Sequence, residues 1–292
     1  MFFVFAILSM AAYALHGVWM APYYRRFEQL TVVTLRGVGM SLAMTPALLI
    51  PGPAGWSEVR AQTPWILAAS ASALLGNWAA ANSLRHLPIG IATALNMSLS
   101  TLVSAWLSTQ WLGESLTANQ IGWMGLVFLG VFGLGAVRSP PVASVAYSLP
   151  RGLVFSAIFG LALGAGFTLI TRVSRVLDPL VAGYCWETTI TILGAGVLLA
   201  RRLTFGPLGS QPSRGDFGWI VLFCVPGGAG TACYALAVAR GPLAIVTAVL
   251  GSMMVASSIL AWLIHGEKLS RGQWFFVGFV CCAVVGMRFS AG

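Results

Sequence analysis

Long apolar runs recur along the whole chain, about every 28 residues, and the charged residues lie almost entirely in the short gaps between them. Each run has roughly 19 to 24 residues, and a helix needs about 20 to cross a hydrocarbon core about 30 Å thick. The runs are continuously apolar rather than alternating, which excludes a transmembrane β-barrel. The sequence therefore predicts an all-α membrane protein with ten transmembrane helices.

The ten helices are predicted from the limits of the apolar runs. They lie at residues 2–20, 31–50, 65–84, 88–112, 119–137, 152–171, 179–200, 216–239, 242–264 and 272–289. The longest connections run from Pro51 to Pro64, from Arg138 to Arg151 and from Arg201 to Gly215, and they are rich in Pro, Gly and Ser, as loops are. None is long enough to form a domain.

Composition agrees with a chain embedded in lipid. Hydrophobic residues make up 58% of the sequence and charged residues 8%, against about 25% charged residues in a typical soluble domain. The net charge of +9 is carried by residues scattered over the loops, without the basic face that nucleic-acid binding needs. The five cysteines show no metal-ligand spacing. We therefore expect the lipid bilayer as a partner and no nucleic acid and no metal.

The second half of the chain repeats the first. Residues 88–104 match residues 242–258, and residues 113–133 match residues 266–286, each pair of segments at a constant offset. We predict two five-helix units, residues 1–138 and 152–289. Since five is odd, the second unit enters the membrane from the opposite side, which predicts two inverted repeats with a site at the midplane between them.

The repeated segments resemble the EamA domain of the drug/metabolite transporter superfamily, because each has a Pro-led helix, then Gly-Glu-x-Leu-[Thr/Ser], then a helix with spaced glycines. Arg36 stands where such domains commonly carry Ala-Leu-Arg, and His16 where they usually have Trp. The resemblance implies a ten-helix alternating-access carrier, often an exporter of amino acids, other metabolites or toxic compounds, without a cofactor. Glu114 and Glu267 belong to the motif, and at helix-connecting turns we interpret them as structural carboxylates that bond free backbone N–H groups.

Three ionisable residues lie well inside predicted helices: His16, Arg36 and Glu187. A charge in the membrane interior costs several kcal/mol, so such residues are candidates for function. Glu187 lies about 12 Å into helix 7 and Arg36 about 8 Å into helix 2, from opposite faces, which predicts a depth gap of about 10 Å between them. The functional interpretation makes Glu187 a proton or cation site and Arg36 an anchor for a carboxylate or phosphate. In the alternative, Arg36 extends to the interface and neighbouring hydroxyls satisfy Glu187.

Polar and aromatic side chains that share helix faces predict the wall of a substrate-binding cavity. On helix 1, Tyr13 and His16 lie on one face; His16 is a second candidate for proton coupling, with a packed hydrogen-bonding role as the alternative. The other candidates are Trp78 and Asn82 on helix 3, Asn96 and Ser100 on helix 4, Trp186 on helix 7 and Tyr234 on helix 8. Small polar residues of helix 4 equally fit close helix packing. Pro226-Gly227-Gly228 predicts a kink in helix 8.

These features favour a secondary carrier of a small organic solute, proton-coupled or facilitative, over a channel-like or scaffold component. We expect no enzyme, because the sequence contains no Gly-x-Ser-x-Gly motif, phosphate-binding loop or metal-binding His/Glu spacing. We expect a monomer or a weak homodimer. The high Arg and Ala content indicates a bacterial inner membrane. The positive-inside rule places both termini outside, whereas the resemblance implies both inside, so the direction of transport stays open.

Overall fold

The computed structural model describes residues 1–49, 53–137, 148–206, 209–266 and 270–289; the predictions that involve Pro51, Arg138 and Glu267 lie outside these ranges. Within them every regular element is a helix. The α-helices are α1 (Phe2–Arg26), α2 (Gln29–Met44), α3 (Pro53–His86), α4 (Ile89–Trp111), α5 (Ala118–Ala136), α6 (Leu149–Ser174), α7 (Pro179–Phe205), α8 (Arg214–Phe223), α9 (Val225–Val238), α10 (Leu243–Gly251), α11 (Met253–His265) and α12 (Arg271–Phe289). A short 3₁₀ helix, Thr45–Leu49, continues α2.

These helices follow the ten predicted apolar runs, two of which are divided: α8 with α9, and α10 with α11. Among the described residues, seven segments are long and apolar enough to cross a membrane. They are α1, α2 with its 3₁₀ extension, α4, α6, α7, α8 with α9, and α10 with α11. The chain is therefore a multi-pass membrane protein, as predicted, while the count of ten spans stays a prediction.

The predicted loop before helix 3 was wrong for most of its length. Helix α3 begins at Pro53 instead of residue 65, and Pro64 lies inside it. Proline suits the first turn of a helix, since its fixed φ matches the helix and its missing N–H would have no partner there. Turn-forming composition alone therefore placed the boundary too late.

Two transmembrane segments are interrupted near their centres. The predicted kink in helix 8 is a break at Cys224, whose N–H bonds the carbonyl of Val221 at 3.2 Å. Pro226 has no N–H to continue the helical bonding pattern across this point. A second break, which the sequence analysis missed, separates α10 from α11 at Ser252; its N–H bonds Val249 at 3.1 Å and its hydroxyl donates to the same carbonyl at 2.6 Å.

The two halves, α1–α5 and α6–α12, pack against each other symmetrically: each main contact from the first half to the second has an equivalent from the second to the first. Helix α1 packs on α9, and its counterpart α6 packs on α3. Helix α4 packs on α6, as α10 and α11 pack on α1. Helices α2 and α7 pack on each other, and so do α5 and α12. The repeat in the sequence is therefore also a repeat of contacts, centred between the halves.

Side-chain contacts repeat in the same way. Arg25 Nε donates to the carbonyl of Leu84 at 3.1 Å, and Arg175 Nε donates to the equivalent carbonyl, that of Val238, at 3.2 Å. The repeated Gly-Glu turns agree as well, because Gly113 and Gly266 have φ of 67° and 69°. Only glycine adopts this left-handed conformation at low cost, which explains why both turns have it.

Candidate functional site

A cavity of about 120 Å³ lies between the two halves. A single water needs on the order of 10–15 Å³ by this measure, so the cavity is large enough for a group of several heavy atoms. Six predicted site residues line it: Tyr13, His16, Arg36, Asn96, Trp186 and Glu187. They come from α1, α2, α4 and α7, so the cavity wall draws on both halves.

Arg36 and Glu187 form an ion pair across the boundary between the halves. Arg36 Nη1 lies 3.7 Å from Glu187 Oε2, with side-chain exposures of 9% and 2%. Among the described residues neither of these two atoms has a hydrogen-bond partner. The charges therefore compensate each other, while one donor and one acceptor stay unmatched at the cavity wall. An unmatched buried polar group costs about 1–3 kcal/mol or more if charged, so this arrangement is costly for the protein alone.

The depth gap predicted between these two residues allowed a direct salt bridge only if helix tilt and the long arginine side chain closed it, and in the structure the two side chains do meet. Helix α2 begins at Gln29, two residues earlier than predicted, so Arg36 lies deeper, about 10 Å from the start of the helix. The long arginine side chain spans what remains. The two charged groups therefore come within 3.7 Å of each other between α2 and α7.

The other carboxylate oxygen of Glu187 is fixed by a hydrogen-bonded chain. Thr231 Oγ1 donates to Glu187 Oε1 at 2.7 Å, and Tyr13 Oη lies 2.8 Å from the same hydroxyl. Since Thr231 has one proton and gives it to the carboxylate, Tyr13 is the donor to Thr231. The chain joins α1, α9 and α7, and it leaves only Oε2 of Glu187 free to face Arg36 and the cavity.

His16 holds the other side of the pair. Arg36 Nε donates to His16 Nε2 at 3.1 Å, and His16 Nδ1 lies 3.0 Å from the carbonyl oxygen of Phe223. The carbonyl belongs to the last residue of α8, beside the break at Cys224. The break therefore supplies a backbone acceptor to the cavity wall, which an unbroken helix would use internally.

Glycines of α9 make room for these side chains. A Cβ on Gly227 would lie 3.0 Å from His16 Cγ, and one on Gly230 would lie 3.1 Å from the ring of Tyr13. Both contacts are tighter than side chains normally make. The glycine-rich run after Pro226 thus allows α1 to approach α9 closely enough for both hydrogen bonds.

One wall of the cavity is aromatic. Trp186 and Phe167 line the cavity with ring centroids 6.0 Å apart, and Tyr234 packs behind them, 4.8 Å from Phe167. Asn96 lies opposite and donates to Ser83 Oγ at 2.8 Å. Among the described residues, Trp186 Nε1 and Asn96 Oδ1 are buried without a hydrogen-bond partner. The cavity therefore offers apolar surface together with further unmatched polar atoms.

Four predicted site residues do not line this cavity: Trp78, Asn82, Ser100 and Tyr234. Asn82 donates to the carbonyl of Trp78 in its own helix at 2.8 Å, and Trp78 packs edge-on against Phe155. The Tyr234 hydroxyl lies 3.2 Å from the carbonyl of Phe167, and Ser100 is fully buried. None of the four therefore contributes to the cavity wall.

Sequence reasoning missed Asn77, Tyr24 and the role of Thr231. Asn77 and Tyr24 line the cavity, and Thr231 bonds Glu187. On α3, Asn77 lines the cavity and Asn82 does not, because five helical residues turn the two side chains about 140° apart. Thr231 follows the glycine-rich kink in α9, so a polar residue beside that kink is the signal for it.

Glu114 lies at a helix end, away from the cavity. Its carboxylate accepts the backbone N–H groups of Leu243 at 2.9 Å and Ala244 at 3.4 Å, and it pairs with Arg175. The structural role predicted for it agrees with these contacts. Because Glu114 belongs to the first half and its partners to the second, it fastens the two halves together.

A scan against protein-family models matches the EamA-like transporter family over residues 1–136 and 150–289. The chain belongs to the EamA-like transporter family. The resemblance in the repeated segments is thereby confirmed, and the chain is consistent with a transporter of the drug/metabolite transporter superfamily. Members of the EamA family are generally not enzymes. Among curated proteins no match is found.

A solved crystal structure of another protein shares the fold of this EamA protein. It is 17% identical in sequence, covers 98% of this chain and 96% of its own, and has a TM-score of 0.73. At this identity the likeness establishes the fold alone. What the site of the present chain binds must therefore be argued from its own residues.

Proposed function

We propose that the protein is a secondary carrier that moves a small organic solute by alternating access, with the Arg36–Glu187 cavity as its binding site. The observation that carries this proposal is the pair's unmatched donor and acceptor, which face a cavity between the two halves. Two inverted repeats around such a site are the usual architecture of a secondary transporter. Rocking of one half on the other would expose the cavity to each membrane face in turn.

The chemistry of the cavity favours a solute that carries a positive and a negative group close together. An ammonium group can replace Arg36 as the partner of Glu187, while a carboxylate takes a bidentate pair of bonds from Arg36. The aromatic wall of Trp186 and Phe167 suits an apolar side chain. An α-amino acid with an apolar side chain has all three features, and related metabolites or drug-like amines would use part of the same site.

Broken helices support a carrier over the alternative of a channel-like or scaffold component. The break at Cys224 presents the Phe223 carbonyl to His16, and Leu250 and Met253 line the cavity on either side of the break at Ser252. Interrupted helices beside a midplane site are typical of transporters whose halves move. A scaffold protein would have no use for two such interruptions at one cavity.

Glu187 is the proton-coupling residue in this proposal. Protonation of its carboxylate would remove the partner of Arg36 and of a bound ammonium group, so proton and solute would compete for one site. Export across a bacterial inner membrane, driven by the inward proton gradient, would follow from such competition. Facilitated diffusion would need the same cavity without the competition.

Uptake by proteoliposomes tests this proposal. The probes are labelled L-phenylalanine, phenethylamine and 3-phenylpropionate, which share a ring and differ in their charged groups, measured with and without an imposed pH gradient. We expect saturable uptake of phenylalanine above either analogue, dependent on the gradient, and loss of that dependence in Glu187→Gln. Tyr234→Phe, outside the cavity, is the matched control. Non-saturable uptake, or equal uptake of all three probes, would favour the channel-like alternative.

A further inference from the structure

We infer that His16 is a neutral positioning residue that orients Arg36, and that it is not the proton-carrying group of the site. The inference rests on the proposed function for its role in transport, and on geometry alone for its chemical state. Both contacts of the imidazole ring are explained by one neutral form of the ring. The alternative, proton coupling by His16, makes opposite predictions.

The first step concerns the tautomer. Nε of an arginine side chain can only donate, so His16 Nε2, 3.1 Å away, must be the acceptor and carries no proton. The carbonyl of Phe223 can only accept, so His16 Nδ1, 3.0 Å away, must carry the proton. Both partners therefore select the same neutral ring, protonated on Nδ1. A doubly protonated ring would turn a donor toward the Arg36 guanidinium.

The second step concerns the surroundings. His16 is 5% exposed, and the titratable or charged groups around it and its partner Arg36 are Tyr13 and Tyr24 on α1, Glu187 on α7 and Cys224 between α8 and α9. Glu187 already faces Arg36 through Oε2 and Thr231 through Oε1. Glu187 is the only carboxylate among the described residues that line the cavity, so no second one is there to pair with an imidazolium, while Arg36 would repel it.

The third step concerns what the bond does for Arg36. The guanidinium group is planar, so a bond that fixes Nε also fixes the plane and the direction of the two terminal nitrogens. With Nε held by His16, Nη1 is directed at Glu187 Oε2, 3.7 Å away. Without it, Arg36 could turn toward solvent at the membrane interface, as long cationic side chains tend to do. His16 thus orients the donor that a solute carboxylate would meet.

Nitrogen-15 NMR of histidine-labelled protein in liposomes tests the chemical state without any substrate. The chain has three histidines, and the His16 signal is assigned by its loss in His16→Gln. We expect a neutral ring protonated on Nδ1 throughout the range from about pH 5 to 8, where free histidine titrates. We also expect the Nε2 signal to shift in Arg36→Met, because that nitrogen loses its donor while Nδ1 keeps the Phe223 carbonyl. An imidazolium signal in this range, or a ring protonated on Nε2, would overturn the inference.

Two substitutions separate positioning from a general structural role. The amide of His16→Gln can place its oxygen where Nε2 accepts from Arg36, whereas His16→Asn can keep the donor to Phe223 but loses that acceptor. We expect KM for labelled L-phenylalanine to stay near wild type in the Gln variant and to rise about tenfold in the Asn variant. The pH profile of transport should be unchanged in both. Equal effects of the two variants, or a shifted pH profile, would contradict the role.

A glycine substitution tests the same role from the other side of the ring. In Gly227→Ala the new Cβ would lie 3.0 Å from His16 Cγ, so the ring must move and its bond to Arg36 should weaken. The matched control is Gly218→Ala, where no heavy atom lies within 4 Å. We expect a raised KM in the first variant only. If phenylalanine is not transported at all, the proposed function fails, while the NMR result still decides the state of His16.

Discussion

Two of the arginine–glutamate pairs that join the halves of this protein differ in how their polar atoms are satisfied. In the central pair, Arg36 Nη1 and Glu187 Oε2 lie 3.7 Å apart, and among the described residues neither atom has a hydrogen-bond partner. In the terminal pair, Glu114 binds Arg175 and also the N–H groups of Leu243 and Ala244. An arginine and a glutamate thus meet in both places, but within the described ranges only the facing atoms of the terminal pair have hydrogen-bond partners.

Free polar atoms are typical of a binding site, whereas fully bonded ones are typical of a structural contact between the halves. In the terminal pair, Arg175 also donates to the carbonyls of Val238 and Gly241, both at 3.2 Å, so both partners are occupied by the protein itself. In the central pair the protein holds each side chain in place through His16 and Thr231 but leaves the facing atoms unmatched. A ligand can improve the second arrangement and has nothing to add to the first.

The largest effect is expected from breaking the central pair. Arg36→Met leaves the Glu187 charge buried without its partner, which should lower the free energy of unfolding by about 3–5 kcal/mol. Replacing both residues by Met should restore most of that stability, because no charge is then buried, while uptake stays abolished. Thermal unfolding in detergent, combined with proteoliposome uptake, measures both effects. A double variant no more stable than the single one would contradict this account of the pair.

A smaller effect is expected from opening the terminal pair. Glu114→Ala removes the acceptor for two backbone N–H groups and the partner of Arg175, which should cost about 1–3 kcal/mol of stability. KM should not change, because Glu114 lies outside the cavity. Gln120→Ala, which removes one bond of the capping box at the start of α5, is the control and should cost less. A changed KM with unchanged stability would reverse the roles of the two pairs.

Thr231→Val sharpens the comparison at the central pair. The substitution removes the donor to Glu187 and the acceptor of Tyr13, so we expect a loss of about 1–2 kcal/mol together with a raised KM. Thr168→Val serves as the control, since that hydroxyl donates to the carbonyl of Gly164 in its own helix. Unfolding midpoints and uptake kinetics of the two variants should differ mainly in KM. Identical kinetics would show that the Tyr13–Thr231 chain does not act on the site.

The smallest effect is expected from Tyr234→Phe, which keeps the aromatic ring behind Trp186. It removes only the hydroxyl that lies near Thr171 and the Phe167 carbonyl, so stability should fall by about 1 kcal/mol. KM should stay at its wild-type value, which uptake kinetics with the transported solute would check. A large change in KM would place Tyr234 in the binding site after all.

The sequence was sufficient for the membrane location, the helical class and the family. Two signals can be found in the local sequence whatever the packing of the helices. They are the apolar runs of membrane-spanning length and the match between residues 88–104 and 242–258. Helix ends were less accurate: Pro53 starts α3 well before the predicted position, because proline is compatible with both a loop and a first helical turn.

The site was predicted in part, for a physical reason. Buried charges are rare in lipid, so Arg36 and Glu187 stood out as single residues. Their contact depends on the depth of each residue and on side-chain length. Counting residues from a predicted helix start gives that depth with an error of several ångströms. Residues such as Asn77 and Asn82 share one helix and differ only in the face that meets the other half, and the sequence does not state which face that is.

Counterflow in proteoliposomes tests the central claim most directly. Vesicles are loaded with unlabelled L-phenylalanine and diluted into a trace of the labelled compound, for the wild type, Arg36→Met and Tyr234→Phe. A carrier whose site is the Arg36–Glu187 cavity predicts a transient accumulation of label in the wild type and in Tyr234→Phe, and none in Arg36→Met. Accumulation that persists in Arg36→Met, or its absence from the wild type for every amino acid tried, would contradict the claim.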